Sequence, residues 1–262
     1  MKRSKLFFIL IVLALVLLTS GCGGGEQQSP PVTGGKSGGQ GSQAGPVDPA
    51  TAAVIKGVVN FSGTAPQPEP ILMDAEPTCA GQHPDGIFSE AVVVNANNTL
   101  KNVFVYVKDG LGDLKFPTPS EPVLLDQVGC IYVPHVLGIQ VGQDFIIRNS
   151  DGILHNINPL PKVNRPYNVG QPVKMESKKT FEKPELYIPI ECDVHEWMSA
   201  YINVLDHPYY SVTGDDGSFT LPNLPPGTYT IVAWQETYGE QTQSVTIGEK
   251  ETKEITFTFE GQ

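Results

Sequence analysis

The chain has 262 residues, enough for one or two domains with real cores. Its 27 glycines and 23 prolines, with short recurring runs of Val, Ile, Thr, Tyr and Phe, argue for an all-β protein. A formal net charge of −11 argues against nucleic acid as a partner.

The chain opens on a basic stretch, Met1-Lys2-Arg3-Ser4-Lys5, followed by an apolar run from Leu6 to Leu18 that is too short for an ordinary transmembrane helix. Residues 1–21 therefore read as an export signal. Its end, Leu18-Thr19-Ser20-Gly21-Cys22, resembles the bacterial lipobox. That resemblance implies cleavage before Cys22 and lipidation on it, giving a membrane-anchored lipoprotein in the periplasm or at the cell surface. The alternative is a plain secretory signal with an incidental cysteine. Loss of the leader removes three basic residues and no acidic one, so the net charge moves from −11 to −14. Such a charge steers a protein towards basic surfaces, such as a cationic cytochrome, or simply keeps it soluble. Residues 22–50 are a Gly/Ser/Gln/Pro stretch without apolar periodicity and read as a flexible tether spanning about 30 Å on random-coil statistics.

Order is expected from Ala53. Residues 54–61 form a strand that exits through Ser62-Gly63-Thr64, and strands follow over 91–94 and 103–107, with Asn97-Asn98 as the turn between them. From Pro122 come strands over 123–125, 131–139, 144–148, 179–181, 186–190 and 199–205. The last segment reads as strand, Asp216-Gly217 turn and strand, then a Pro226-Gly227 turn into Thr228–Trp234, and finally strands over 244–247 and 253–259.

This last pattern, Thr213-x-x-Asp216-Gly217-x-Phe219 followed by Leu224-Pro225-Pro226-Gly227-x-Tyr229, resembles the carboxypeptidase regulatory-like, or transthyretin-like, β-sandwich. The resemblance implies a structural module and no activity of its own. The strands that usually open such a module match residues 55–59 and 103–107. The expected layout is therefore a sandwich of residues 53–115 and 207–260 with a second domain, 116–206, inserted into it. Two tandem domains meeting near residue 207 are the alternative.

The chemistry concentrates in Cys192-Asp193-Val194-His195-Glu196-Trp197-Met198, which packs a thiolate, an imidazole and a thioether into seven residues. Two imidazoles, a thiolate and a weak axial thioether make a blue-copper donor set, and His155 is the candidate second histidine. Taken singly, Cys192 reads as a buried thiol and Met198 as core; zinc is the alternative metal, although zinc sites seldom use methionine. Tyr132-Val133-Pro134, Val141-Gly142-Gln143, Asn149-Ser150-Asp151, His155-Asn156 and the Cys-x-x-His-x-x-Met loop together resemble the cupredoxins, with an amicyanin-like short loop among the plastocyanin-like proteins. The resemblance implies a Greek-key sandwich holding one type 1 copper ion, with His155, Cys192 and His195 in the plane and Met198 axial. It further implies that Asn156 ties the ligand loops together and that His195 is the partly exposed point of electron entry. Glu196 stands where such loops often carry proline. The two modules together resemble exported proteins described as methylamine-utilisation-like.

Cys79 and Cys130 remain. Outside the cytoplasm a disulfide is expected, while Cys79-x3-His83 and Cys130-x4-His135 leave open a second zinc or copper site. His207 reads as structural. No nucleophile-elbow, His-Glu-x-x-His or phosphate-cradling glycine motif is present, and no enzyme activity is expected. The expected function is single-electron transfer between extracytoplasmic redox partners. The alternatives are copper storage or delivery, and a surface interaction protein with a structural metal.

Overall fold

Sixteen strands and one helical turn are found in residues 47–261, the part of the chain that the computed structural model describes; the expected export signal, the expected lipidation site Cys22 and residues 22–46 of the expected tether lie outside it. In chain order these are β1 (Ala53–Ser62), α1 (Pro77–Ala80), β2 (Phe104–Asp109), β3 (Val123–Val128), β4 (Ile131–Val133), β5 (Val136–Gln140), β6 (Phe145–Asn149), β7 (His155–Pro159) and β8 (Val169–Gln171). They continue with β9 (Met175–Lys179), β10 (Glu185–Glu191), β11 (Ser199–Leu205), β12 (Tyr210–Val212), β13 (Ser218–Leu224), β14 (Gly227–Gln235), β15 (Gly239–Ile247) and β16 (Thr252–Glu260). The described chain is all-β and forms two sandwiches. Among the described residues no helix is long and apolar enough to cross a membrane.

The first sandwich faces a sheet ordered β13-β1-β16 against one ordered β12-β2-β14-β15. Strands on both sides of residues 116–206 therefore pair directly: β1 with β13 and β16, and β2 with β12 and β14. Ile55, Val59, Phe219, Leu221, Phe257 and Phe259 meet Val105, Val107, Ile231, Val245 and Ile247 in its core. Gly57 sits where β1 and β16 come closest, and a Cβ there would stand 1.9 Å from the Ile255 carbonyl oxygen.

Two expectations fail here. Residues 91–94 form no strand, only a bridge from Val94 to Leu100, because both edges of β1 and of β2 are already taken. The Asp216-Gly217 turn joins no hairpin either, since β12 and β13 belong to different sheets. The reason is Thr213, whose buried hydroxyl donates to the Leu100 carbonyl (2.7 Å) and accepts the Val103 N–H (3.0 Å), turning the chain from one sheet towards the other.

The second sandwich packs β5-β11-β10-β7-β8 on β4-β3-β6-β9 around Leu125, Ile139, Phe145, Ile147, Ile157, Phe181, Ile190 and Ile202. The single strand expected over 131–139 is two strands. Pro134 has no N–H for a ladder, and around it the chain leaves the sheet of β3 and joins the sheet of β11. The strand expected over 179–181 lies at 175–179 instead, and Phe181 beyond it enters the core.

β2 is buried on both faces. Val105 and Val107 point into the first core, while Phe104 and Tyr106 pack outwards with Val136, Leu205 and Trp234 against the second sandwich. The Tyr187 ring stacks on Trp234 with centroids 4.4 Å apart, and His135 Nε2 meets Glu236 Oε1 at 3.1 Å. These contacts fix the sandwiches side by side.

Candidate metal centre

The end of β10 delivers Cys192, and the next loop closes as the Met198 N–H donates to the His195 carbonyl at 2.9 Å, one residue before β11 begins. His155 comes from the start of β7. The turn before it is shaped by Asn149, whose Oδ1 accepts the N–H groups of Asp151 (3.0 Å) and Gly152 (3.3 Å) while its Nδ2 donates to the Ile153 carbonyl (2.7 Å).

These elements bring His155, Cys192 and His195 together, with one donor atom of each within 4.8 Å of the others. The two Nδ1 atoms face each other at 2.9 Å. His155 Nε2 donates to Asp151 Oδ2 at 2.8 Å, which turns the Nδ1 side of the ring into the pocket. Met198 is 1% exposed and belongs to the same apolar cluster as Cys192. Two converging imidazole Nδ1 atoms beside a thiol, with a thioether in the surrounding core, form a donor set that fits a soft, late first-row ion.

The shifts at Cys192 and His195 favour that use, and the shift at His155 opposes it. Burial raises the Cys192 pKa, but hydrogen bonds from His155 and from the backbone N–H groups of Asn156, His195 and Val194 outweigh it and leave the thiol below its ordinary value. Burial depresses His155, yet its bonds to Cys192 and Asp151 leave it raised. Burial and the neighbouring His155 lower His195.

Asn156 ties the two ligand loops. Its Oδ1 accepts the Asp193 N–H at 2.7 Å and the Cys192 thiol at 3.3 Å, and its Nδ2 donates to Asp193 Oδ2 at 3.0 Å. The Tyr132 hydroxyl lies between the carbonyls of Asn156 and Glu191 and adds a second tie.

One expectation about this site is corrected. His195 is only 4% exposed, so it does not reach solvent as the point of electron entry. Residues 66–90, for which the sequence predicted a disulfide at Cys79 but no regular element, place Cys79 of α1 with Sγ 4.0 Å from His195 Nε2. The segment is held by a Cys79–Cys130 disulfide to the turn between β3 and β4. That turn is gripped by Asp151, whose carboxylate accepts the N–H groups of Gly129 (2.7 Å) and Cys130 (2.8 Å) while it also holds His155. Sequence reasoning missed this role of Asp151. The Asn-Ser-Asp-Gly turn around it was the available signal, but nothing in it pointed 21 residues back to Cys130.

The second cluster does not assemble. Cys79 and Cys130 spend their sulfurs on each other, His83 Nε2 pairs with the Gly129 carbonyl at 2.7 Å, and His135 lies between the Ser199 carbonyl and Glu236. Cys130 is close to Asp151 and His155, but a disulfide sulfur is not a thiolate donor. His207 is 7% exposed and its Nδ1 accepts the Tyr209 N–H at 3.2 Å.

Residues 199–260 match the sequence model of the carboxypeptidase regulatory-like domain. The match starts on β11, in the second sandwich, and runs on through β12–β16 of the first. Over 62 residues the chain is 40% identical to a probable rhamnogalacturonate lyase A of Aspergillus flavus, which amounts to 23% of this chain and 12% of that protein. The chain thus spans about an eighth of the length of that relative. Among solved structures, a Cu-containing nitrite reductase (NirK) from Thermus scotoductus aligns at 23% identity with a TM-score of 0.32, covering 37% of this chain and 25% of that one. A purple cupredoxin from Nitrosopumilus maritimus aligns at 19% identity with a TM-score of 0.27, covering 31% of this chain and 98% of that one.

Proposed function

We propose that this protein is a type 1 copper protein that passes single electrons between extracytoplasmic redox partners. One observation carries the reading: the Nδ1 atoms of His155 and His195 converge at 2.9 Å beside the Cys192 thiol in a buried pocket. Copper bound there would supply a one-electron couple between its cuprous and cupric states. His155, Cys192 and His195 would hold the ion, with Met198 as the weak fourth ligand. Asp151 and Asn156 keep those donors in place, so the chain need not rearrange when the charge changes. Four protein ligands leave no open position for substrate, which favours electron transfer over turnover.

The strand pairing supports a copper domain of residues 116–206 set into a carboxypeptidase regulatory-like sandwich of residues 53–115 and 207–260. That sandwich serves as a rigid mount. We further infer export, lipidation at Cys22 and attachment to the membrane through residues 22–50, with a redox protein such as a cationic cytochrome as partner. The excess of acidic residues suits that partner.

The test is the visible spectrum of copper-loaded protein combined with stopped-flow electron exchange. An intense thiolate-to-copper band, lost in Cys192→Ser, together with fast exchange is expected. Ready surrender of copper to a chelator with slow electron exchange would replace this reading with copper delivery.

A further inference from the structure

The copper reading just proposed raises a problem of access. His155 is 0% exposed, Cys192 3%, His195 4% and Met198 1%, so all four donors are buried. The side chains that touch the donors are buried as well: Asp151 at 2%, Asn156 at 5% and Cys79 at 0%. Trp197 is the exception. Its ring lies 5.0 Å from the His195 ring, and it is partly open to solvent.

We propose that Trp197, in place of His195, is the contact through which electrons enter and leave the centre. The indole is held for this. Its Nε1–H donates to the Cys130 carbonyl at 2.9 Å, and Cys130 is itself fixed by the disulfide and by Asp151. One face therefore keeps a constant distance to His195. Trp197 also lines a cleft of about 430 Å³ with Ile71, Phe88, Ile131 and Pro134 among its walls. A polarisable aromatic ring couples a metal-bound imidazole to an outside acceptor better than the saturated side chains nearby, such as the exposed Val194 and Leu154.

Copper held by His155, Cys192, His195 and Met198 would supply the one-electron couple between its cuprous and cupric states, and an external one-electron acceptor or donor would complete it. No bond forms or breaks, no proton moves, and the indole N–H stays on its carbonyl throughout. Trp197 is a through-contact, not a carrier that is itself oxidised.

The lid explains why the site needs such a route. Cys79 and its disulfide to Cys130, both buried, cover the His195 imidazole edge.

The experiment compares copper-loaded parent, Trp197→Phe and Trp197→Leu in stopped-flow exchange with hexacyanoferrate, alongside visible and EPR spectra and the reduction potential. Trp197→Leu is expected to slow exchange by at least about tenfold while spectra and potential stay as in the parent. Trp197→Phe, which keeps an aromatic ring, is expected to retain most of the rate. Exchange in Trp197→Leu equal to or faster than the parent, with the copper band intact, overturns the inference alone; a parent that forms no thiolate-to-copper band overturns the copper reading and this inference with it. A metal-free readout tests the premise. Diethyl pyrocarbonate should leave His195 unmodified in the native apo-protein and in Trp197→Phe, and modify it once Cys79→Ser and Cys130→Ser are combined. Modification of His195 in the native parent would remove the reason for an alternative route.

Discussion

Asp151 joins three things at one buried carboxylate: the outer nitrogen of His155 and the N–H groups of Gly129 and Cys130, at 2.7–2.8 Å. Replacing it with alanine leaves all three donors without a partner in a region where the side chain is 2% exposed. Each unsatisfied buried donor costs about 1–3 kcal/mol, so three sum to about 3–9 kcal/mol, enough to unfold a domain of ordinary stability. Asp151→Asn is the informative variant because it keeps the shape. Its single carbonyl oxygen still accepts from one or two of the donors, but its NH₂ now faces the remaining one. A loss of about 1–3 kcal/mol follows, measured by urea denaturation of the apo-protein followed at the tryptophans. The same change frees His155 to turn, and loss of such an outer partner typically costs 10–100-fold in metal affinity, read in a competitive copper titration. An Asp151→Asn protein within about 0.5 kcal/mol of the parent, with copper affinity unchanged, would refute the assignment of Asp151 as the clamp between ligand and lid.

Other outcomes follow from the same contacts. Burial would lower the His135 pKa, but Glu236, with Glu90 and the Ser199 carbonyl, raises it above its ordinary 6.5. A raised folded-state pKa means that the pair's stabilisation is complete below about pH 6.5 and is lost as pH climbs through the folded value. Thermal scans should show it, and His135→Ala should flatten that part of the profile. Gly57→Ala forces a Cβ to 1.9 Å from the Ile255 carbonyl oxygen, and should cost about 2–4 kcal/mol by parting β1 from β16; chemical denaturation showing less than about 1 kcal/mol would contradict this packing. Asn156→Ala removes the acceptor for the Asp193 N–H and the Cys192 thiol, and should destabilise the apo-protein by about 1–3 kcal/mol, again read by denaturation.

Much of the architecture is written in local patterns. The runs over residues 54–61 and 103–107 mark β1 and β2, while the burial of β2 on both faces, by Phe104 and Tyr106 as well as Val105 and Val107, emerges only with the second sandwich in place. The ligand loop is legible because Cys192, His195 and Met198 lie within seven residues, and Asn156 follows His155 directly. β7 is harder to see, since His155-Asn156-Ile157-Asn158-Pro159 carries little strand propensity and is made extended by its neighbours β8 and β10. What escapes a reading of the chain is contact at long range without periodicity. The cover on His195 comes from Cys79, 116 residues away, in a stretch with no regular pattern. The turn at Thr213 to Gly217 has the composition of a hairpin and becomes a corner only because Leu100 and Val103 supply partners for Thr213. Asp151 shows the same limit: its turn is visible, its three partners are not.

The most direct test of the central claim is X-ray absorption at the copper edge of the loaded protein, with Cys192→Ser as control. The account predicts an inner shell of two imidazole nitrogens and one sulfur, with the sulfur lost in Cys192→Ser. An inner shell of nitrogen and oxygen alone, the same in parent and variant, would contradict it.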